Sequence, residues 1–330
     1  MIDEHLAPLF AELPSPDAAA AAATAERASH VLRPRGAFAR LDEVACWLAG
    51  WQRTSRPTVE RPAAIVFVAD HGVADEGVSA YPQSVSEGML RALQQGVATA
   101  SVMAEVVGAS LEVVDVGVGR PTGNLAREPA LSHERFAECL QVGRDAVRGL
   151  DCDLLVLGEM GIGNTTAAAA VCAALFGLSA EDWAGRGTGL DAAGLGRKIA
   201  VIETARRRVG EVTPLEALRQ VGGAELASLV GATLEARAAS IPVVLDGFVV
   251  TAAVAPLYIV RRDALDHCIA GHCSAEPGHR LLLEKLAMRP LLDLDLRLGE
   301  GTGALAAVPL IRIAAAAVSE VATFAEWGLS

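Results

Sequence analysis

Short apolar runs alternate along the chain with longer segments whose apolar residues recur at helical spacing. Strands that are covered on both faces are apolar at almost every position. The runs of this kind are Ala63–Ala69, Leu111–Val116, Leu154–Leu157, Val243–Asp246 and the weaker His267–Ala270. Their alternation with helical segments predicts an α/β fold with a mainly parallel, doubly wound (Rossmann-like) sheet.

Helices are predicted between and beyond these strands. The predicted helices cover Pro16–Leu32, Ala39–Trp51, a segment from Pro82–Ser86 to about Val107, Glu134–Arg148, Ala167–Ala174, Gly278–Met288 and a long last helix that opens at Gly299–Gly303. Most strands end at their carboxyl side in Gly, Asp, Ser or Glu. Ligands bind at that edge of open α/β sheets, so we expect the functional site there.

Composition and charge narrow the class of protein. Of the 330 residues, 52% are hydrophobic and only 4% are aromatic, so we expect close helix packing rather than a few aromatic anchors. The net charge of −12 argues against non-specific binding to nucleic acid or to an anionic membrane surface. An anionic ligand would therefore need local help from helix ends or from a few basic side chains.

The sequence predicts a cytoplasmic protein. The first residues, MIDEHLAPLF, lack the basic region and apolar core of an export signal. The apolar run Ile241–Val260 is long enough to span a bilayer. Because Asp246, Gly247 and Pro256 interrupt it, we predict a buried strand, a turn and a buried helix instead. The six cysteines form no C-x-x-C pair and are expected to be free thiols in a reducing compartment.

A glycine-rich turn follows one of the predicted strands. Gly158, Gly161 and Gly163 allow a sharp turn with exposed N–H groups, and the cap-type residues Asn164–Thr166 precede an alanine-rich helix. Such a helix start favours a phosphate or another anion. The turn is neither a Walker A loop nor a G-x-G-x-x-G fingerprint. Glu159 would repel a phosphate beside it, so we expect it to face another part of the ligand.

A second carboxylate, Glu300, stands between glycines at the start of the last predicted helix. An enclosed carboxylate with small neighbours can have a raised pKa and accept a proton near neutral pH. An ordinary first-turn glutamate that complements the helix dipole has the same local pattern. The local sequence leaves both interpretations open.

Three histidine-containing pairs raise the question of a metal. Asp70-His71, at a strand end, is compatible with a metal site, an acid–base pair or a hydrogen-bonded turn. The repeated pairs His267-Cys268 and His272-Cys273 have a spacing that fits no structural zinc pattern. We therefore expect no metal.

Six blocks of sequence together resemble one enzyme family. They are ADHGVADEGVSAYPQSV (69–85), GEMGIGNTTAAAA (158–170), GRGTGLDAAGLGRK (185–198), PVVLDGF (242–248), SAEPGH (274–279) and RLGEGTGA (297–304). In this order they resemble the nicotinate-nucleotide:dimethylbenzimidazole phosphoribosyltransferases, which build the lower-ligand nucleotide of cobalamin. The resemblance runs from about residue 30 to the C-terminal helix.

The resemblance implies a domain arrangement and a reaction. A large α/β domain over residues 63–302 would carry the active site, and residues 1–62 with the C-terminal helix, about 303–330, would form a small helical domain. The expected assembly is a homodimer without metal or cofactor. The expected reaction moves 5-phosphoribose from nicotinate mononucleotide to a benzimidazole nitrogen, with inversion from β to α at the anomeric carbon and release of nicotinate.

The resemblance also implies roles for individual residues. Glu300 matches the family's proposed general base, and Glu159 matches a second active-site carboxylate near the ribose or the substrate nitrogen. Phosphate and ribose binding is implied for Gly161, Gly163, Asn164, Thr165, Thr166, Gly187, Lys198, Gly247, Phe248 and Ser274. Binding of the aromatic base is implied for Tyr81, Pro82, Met89, Met160 and Leu298.

The acceptor base and two other functions stay open at this point. Tyr81 and Met89 stand where some relatives carry a small polar residue and a glutamine, so the acceptor is dimethylbenzimidazole, a simpler benzimidazole, adenine or a phenol. A nicotinamide-dependent oxidoreductase is disfavoured because no G-x-G-x-x-G follows the first strand. A non-catalytic nucleotide sensor is disfavoured by the intact Glu159 and Glu300.

Overall fold

A five-stranded parallel sheet forms the centre of the computed structural model, which describes residue 10 and residues 13–329. The strands are β1 (Pro62–Ala69), β2 (Ser110–Gly117), β3 (Leu154–Met160), β4 (Val243–Leu245) and β5 (Cys268–Ala270), and their order in the sheet is β2-β1-β3-β4-β5. All neighbouring strands are parallel. The predicted α/β class and parallel sheet are thus confirmed.

Helices cover both faces of this sheet. They are α1 (Ala18–Ala28), α2 (Arg40–Gln52), α3 (Val85–Gln94), α4 (Thr99–Val107), α5 (His133–Val147), α6 (Asn164–Phe176), α7 (Ala180–Trp183), α8 (Ala192–Val209), α9 (Pro214–Val221), α10 (Ala224–Ala238), α11 (Phe248–Val260), α12 (Pro277–Lys285) and α13 (Thr302–Ser319). A 3₁₀ turn spans Gly72–Glu76, and two short strands, β6 (His272–Cys273) and β7 (Leu292–Asp293), pair in parallel.

The two faces of β1 explain its unbroken apolar sequence. Ile65 and Phe67 pack into a core that includes α5, α6, α10 and α11. Val66 and Val68 pack into a second core that includes α2, α3, α4 and α13. Because both faces are buried, all eight residues of β1 are buried, as expected for a central strand of a parallel sheet.

Helix α1 and the turn after it contact α13 and the residues that follow α13. Arg27, in α1, donates a hydrogen bond from Nε to the carbonyl oxygen of Val318 at 2.8 Å, and the N–H of Leu32 donates to the carbonyl oxygen of Ala322 at 2.9 Å. Helix α13 also packs against the sheet through Leu305. The division into a small and a large domain stays a prediction.

Three local predictions need correction. The helix expected up to about Val107 is two helices, because the chain turns at Gly96, which has a φ of +76°. Residues Asn164–Thr166 form the first turn of α6 instead of capping it, since the cap is Gly163 with a φ of +96°. Glu159 belongs to β3, whose last residue is Met160, rather than to the turn.

The apolar run Ile241–Val260 contains β4, a turn and α11, as predicted. By length and composition, one helix of the described residues, Thr302–Ser319, could cross a membrane. Its most apolar window is 67% buried inside the protein, as in the core helix of a folded domain.

Candidate active site

A cavity of about 550 Å³ opens at the carboxyl edge of β3 and β4. Its walls come from the segment before and within α3, the turn after β3, the turn before α8 and the loop before α13. The predicted site residues that line it are Tyr81, Met89, Glu159, Met160, Gly161, Gly163, Asn164, Thr165, Gly187, Gly247, Phe248, Ser274, Leu298 and Glu300. Of the predicted residues, all within the described chain, Pro82, Thr166 and Lys198 are not part of this lining.

Glu159 is enclosed where β3 ends. Its side chain is only 5% exposed and accepts a hydrogen bond from the side-chain amide of Asn164, in the first turn of α6. Burial raises the pKa of Glu159 well above its ordinary value. The negative charges of Asp246, Glu225 and Glu300 raise that pKa further. The hydrogen bond from Asn164 opposes this shift, and the net effect is that the site favours the protonated form of Glu159 more than water does.

Glu300 is held in a strained loop before α13. It has a φ of +60°, between Gly299 at +94° and Gly301 at +79°. A left-handed conformation is uncommon for a residue with a side chain and indicates a local constraint. The carboxylate is 3% exposed, and its Oε2 accepts a hydrogen bond of 3.4 Å from the N–H of Ala100, in the first turn of α4.

The environment of Glu300 suits a general base. Burial raises the pKa of Glu300, the hydrogen bond from Ala100 lowers it, and the charge of Asp246 raises it. The net pKa lies above the ordinary value, which makes the carboxylate a better proton acceptor. Its side chain contacts the start of α4 rather than that of its own helix, so the first-turn interpretation does not describe it.

Asp246, which follows β4, fixes the loop that carries Glu300. The side chain is fully buried and accepts hydrogen bonds from the N–H groups of Gly301 at 3.2 Å and Ala304 at 3.0 Å. It therefore caps α13, whose own N-cap is a glycine without a side chain. Nε2 of His272 lies 3.5 Å from Oδ1 of Asp246.

Lys198 lies behind the cavity and is hydrogen-bonded to Thr165, which lines it. The side chain of Lys198 is fully buried, and Nζ donates to Oγ1 of Thr165 at 2.9 Å and to the carbonyl oxygen of Gly185 at 3.0 Å. Because Oγ1 accepts from Lys198, the hydroxyl hydrogen of Thr165 is free to point to the cavity. Burial lowers the pKa of Lys198 to about 8, and the Glu276 carboxylate opposes this shift.

Glu276 lies beside the glycine turn that precedes α8. Its Oε1 accepts a hydrogen bond of 2.8 Å from the N–H of Gly187, and its side chain lines the cavity. A Cβ atom on Gly185 would overlap this carboxylate, so a larger residue there would have to displace the Glu276 side chain from its bond to Gly187. The N–H of Gly187, one of the residues predicted to bind phosphate and ribose, thus has a carboxylate partner within the protein.

Ser274 belongs to a buried network. Its N–H donates to Nδ1 of His279 at 2.9 Å, so Nδ1 is an acceptor and the ring hydrogen lies on Nε2. Nε2 then donates to Oγ1 of Thr251 at 3.1 Å, and Thr251 donates to the carbonyl oxygen of Gly247 at 2.9 Å. Burial lowers the pKa of His279 to about 3, so this histidine is neutral. The network ties two predicted ligand contacts, Gly247 and Ser274, into one rigid unit.

One wall of the cavity is apolar. Tyr81 and Leu298 are 51% and 48% exposed, and Met89 and Met160 are half-buried beside them. An apolar wall with exposed large side chains can cover an aromatic ring when one binds.

The histidine pairs do not resemble a metal site. His71 is hydrogen-bonded to Glu225 and not to Asp70, whose Oδ2 accepts from the N–H of Gly119. His267 contacts the carbonyl oxygen of Thr233 through Nε2. Within the part of the chain that the structure describes, no three His, Cys, Asp or Glu side chains are grouped to hold a metal ion.

Sequence reasoning missed several residues of the cavity. Arg186, Glu276, His272 and Arg297 line it, and Asp246 lies directly behind it. Glu276 stands in one of the quoted blocks, SAEPGH, and Asp246 in another, so a signal was present. Their roles depend on backbone N–H groups distant in sequence, which the blocks do not reveal.

Comparison with known proteins gives a consistent result. A sequence model of the phosphoribosyltransferase family matches residues 13–329. The nicotinate-nucleotide–dimethylbenzimidazole phosphoribosyltransferase of Cereibacter sphaeroides is 45% identical over 98% of this chain and 96% of its own length. The enzyme of the same name from Mesorhizobium japonicum is 47% identical over 97% of this chain and 95% of its own length.

Solved structures agree with the sequence comparison. The crystal structure of CobT from Thermus thermophilus superimposes with a TM-score of 0.91, at 44% identity, and covers 94% of this chain and 99% of that one. A structure named as the nicotinate-nucleotide–dimethylbenzimidazole phosphoribosyltransferase of the same organism has a TM-score of 0.90 at 42% identity, and covers 95% of this chain and 99% of that one.

Proposed function

Because this chain belongs to the nicotinate-nucleotide–dimethylbenzimidazole phosphoribosyltransferase family, we propose that it transfers 5-phosphoribose from nicotinate mononucleotide to a benzimidazole-type base. The products would be the α-ribazole 5′-phosphate and nicotinate, with inversion at the anomeric carbon. The observation that carries this proposal is the pair of buried carboxylates, Glu159 and Glu300, in one cavity. The same comparisons give no support to the oxidoreductase alternative.

The proposed chemistry needs one base and no acid. The nicotinate nitrogen of the donor is already cationic, so the C–N bond breaks with its electron pair returning to that nitrogen, and nicotinate leaves with a neutral ring nitrogen. One azole nitrogen attacks the anomeric carbon from the opposite face, and its second nitrogen must lose a proton. Glu300 takes this proton in our proposal, since burial raises its pKa and thereby its basicity.

We assign the turn after β3 and the start of α6 to the ribose phosphate. Gly161, Gly163 and Thr165 line the cavity there, and the positive end of a helix dipole favours an anion. Lys198 would supply positive charge through its hydrogen bond to Thr165. Gly247, Phe248, Ser274, Gly187, Asn164 and Thr166 complete the proposed phosphate and ribose region, Thr166 from a buried position in α6. Glu159 would face the reacting centre.

We assign the apolar wall to the acceptor base. Met89, Met160, Leu298 and Tyr81 line it, and Pro82 lies next to Tyr81 in the chain. Apolar side chains favour a methylated benzimidazole over a polar base such as adenine. An apolar wall would leave the exocyclic amino group of adenine without a hydrogen-bond partner.

We also propose a cytoplasmic homodimer. The six cysteines are free thiols, which suits a reducing compartment. Val102 and Val106 expose apolar surface on α4, 51% and 79% exposed, which a second copy would cover. Light scattering should give about twice the chain mass of 34.1 kDa, and a monomeric mass would contradict this assembly.

The test of the activity is direct. The purified protein is incubated with nicotinate mononucleotide and one acceptor at a time: dimethylbenzimidazole, benzimidazole, adenine and a phenol. Nicotinate release and the product nucleotide are followed by chromatography and mass spectrometry. We expect turnover with dimethylbenzimidazole. Binding of the mononucleotide without any product would indicate a non-catalytic relative instead.

A further inference from the structure

Four buried carboxylates surround the end of β3, and they fall into two kinds. Glu159 and Glu300 line the cavity, and no cation is among the groups that influence their pKa within the described chain. Glu225 and Asp246 lie behind the cavity, and each has a histidine beside it, His71 and His272 respectively. The proposed mechanism uses Glu159 and Glu300 and gives no role to the Glu225–His71 pair.

The Glu225–His71 contact is short and completely enclosed. Nε2 of His71 lies 2.5 Å from Oε1 of Glu225, and both side chains are 0% exposed. His71 follows β1, and Glu225 stands in the first turn of α10, 154 residues later. A Cβ atom on Gly223, which immediately precedes α10, would overlap the His71 ring, so the glycine allows this approach. Two distant elements are thus joined by one buried hydrogen bond between the His71 ring and the Glu225 carboxyl group.

This pair forms the back of the glycine turn whose front lines the cavity. A Cβ atom on Gly161 would lie 3.2 Å from Cδ2 of His71 and 3.3 Å from Oε1 of Glu225. A Cβ atom on Gly163 would lie 3.5 Å from Cβ of His71. The turn therefore rests directly on the pair.

We propose that His71 and Glu225 are a positioning pair, which holds the Gly161–Gly163 turn in place for the donor nucleotide and sets the charge behind Glu159. This inference rests on the proposed function, because the turn is assigned there to the ribose phosphate. His71 partners the Glu225 carboxylate, which would otherwise be a buried charge without compensation, a costly arrangement.

The electrostatic part of the proposal concerns Glu159. The ionisable groups that face it are Glu225 from α10, Asp246 from the end of β4 and Glu300 from the loop before α13, and its hydrogen-bond donor is the neutral Asn164. Glu225 raises the pKa of Glu159. Loss of the His71 partner should increase this effect, and loss of the Glu225 charge should remove it.

Three variants of the full-length enzyme separate these effects. His71→Gln removes the histidine and keeps the Glu225 carboxylate. Glu225→Gln removes the charge, and its amide oxygen can still accept from His71. The double variant removes both. For each, kcat and KM for nicotinate mononucleotide are measured from about pH 5 to about pH 9, with dimethylbenzimidazole as acceptor. Glu159→Gln identifies the limb of the profile that belongs to Glu159.

Substitutions of His71 and of Glu225 should shift the Glu159 limb of the pH profile in opposite directions. His71→Gln should move the Glu159 limb to higher pH by about half a unit or more and raise KM for the donor about fivefold. Glu225→Gln should move the limb to lower pH, and the double variant should reverse the shift of His71→Gln. If His71→Gln does not fold, the comparison of wild type, Glu225→Gln and the double variant still tests the charge effect.

His267→Gln is the matched control, since His267 is equally buried and lies outside the cavity. It should change thermal stability without moving the pH profile or KM. Profiles of the His71 and Glu225 variants that coincide with wild type would overturn the inference. Persistence in Glu159→Gln of the particular limb that His71→Gln displaces would also overturn it, whereas a separate limb from Glu300 is expected to remain. A wild-type enzyme without turnover would instead contradict the proposed function.

Discussion

The backbone N–H of Glu300 donates a hydrogen bond of 2.9 Å to the carbonyl oxygen of Glu159. The end of β3 and the loop before α13 are therefore joined by a main-chain hydrogen bond between the two glutamates themselves. Gly158 and Gly301 pack backbone to backbone beside this bond. Main-chain contacts therefore help to set the relative position of the two acids, together with the Asp246 side chain that caps α13.

This contact predicts a strong effect of Gly158→Ala. The added methyl group would overlap the backbone N of Gly301 and displace the loop that carries Glu300. We expect turnover to fall by about tenfold or more and the melting temperature to decrease. Gly196→Ala is the control, because a Cβ atom there meets nothing within 4 Å and lies in α8. Equal activity of the two variants would show that the loop does not depend on this contact.

Asp246 should contribute to catalysis without contacting substrate. Asp246→Ala leaves the N–H groups of Gly301 and Ala304 without their acceptor, which costs about 1–3 kcal/mol for a buried donor. We expect kcat to fall about tenfold or more as Glu300 loses its fixed position. Asp246→Asn retains an acceptor oxygen and should recover part of the rate. Steady-state kinetics distinguishes these outcomes, and an unchanged kcat in Asp246→Ala would contradict the positioning role.

The sequence carried enough information for the sheet and for most of the cavity. The apolar runs of β1 and β3 are long, and parallel strands place their carboxyl ends at one edge. The role of Asp246 could not be found in this way. Its partners, Gly301 and Ala304, are more than fifty residues distant, and backbone donors leave no signal in the side-chain pattern.

The surroundings of Lys198 could not be predicted from the local sequence either. The resemblance implied phosphate and ribose binding for Lys198, but the sequence did not show that its side chain is buried and bonded to Thr165. The break near Gly96 was not predicted because the residues on either side both have helical periodicity. Four residues, Gln95–Ala98, separate α3 from α4, with Gly96 at a positive φ and Ala98 extended.

The Glu159 side chain, which the proposed function needs, should lower the free energy of unfolding as the pH rises. Its folded pKa lies above the ordinary value, so between those two values the folded state binds more protons than the unfolded state, and stability falls as pH rises through that window. Glu159→Gln has no such group. We expect its melting temperature to exceed that of wild type by an amount that grows as pH rises from about 5 to about 8, while turnover decreases. Thermal denaturation across this range checks the sign, and a gain that shrinks with pH would contradict it.

Lys198 should affect donor binding more than the chemical step. Lys198→Met removes the hydrogen bonds to Thr165 and to the carbonyl oxygen of Gly185. We expect KM for nicotinate mononucleotide to rise about tenfold with a smaller change in kcat. The exposed Lys285 of α12 offers the matched control, Lys285→Met, which should behave as wild type. A loss confined to kcat would place Lys198 in another role.

The central claim is that Glu300 accepts the proton of the azole, and Glu300→Gln tests it most directly. The amide cannot accept that proton, but it keeps the size of the side chain and the contact to Ala100. The decisive measurement pairs single-turnover kinetics with calorimetric binding of nicotinate mononucleotide, with the exposed Glu320→Gln as control. We predict a rate about 10²–10⁴-fold below wild type with donor affinity unchanged within about threefold. A Glu300→Gln enzyme that turns over near the wild-type rate would contradict this role for Glu300.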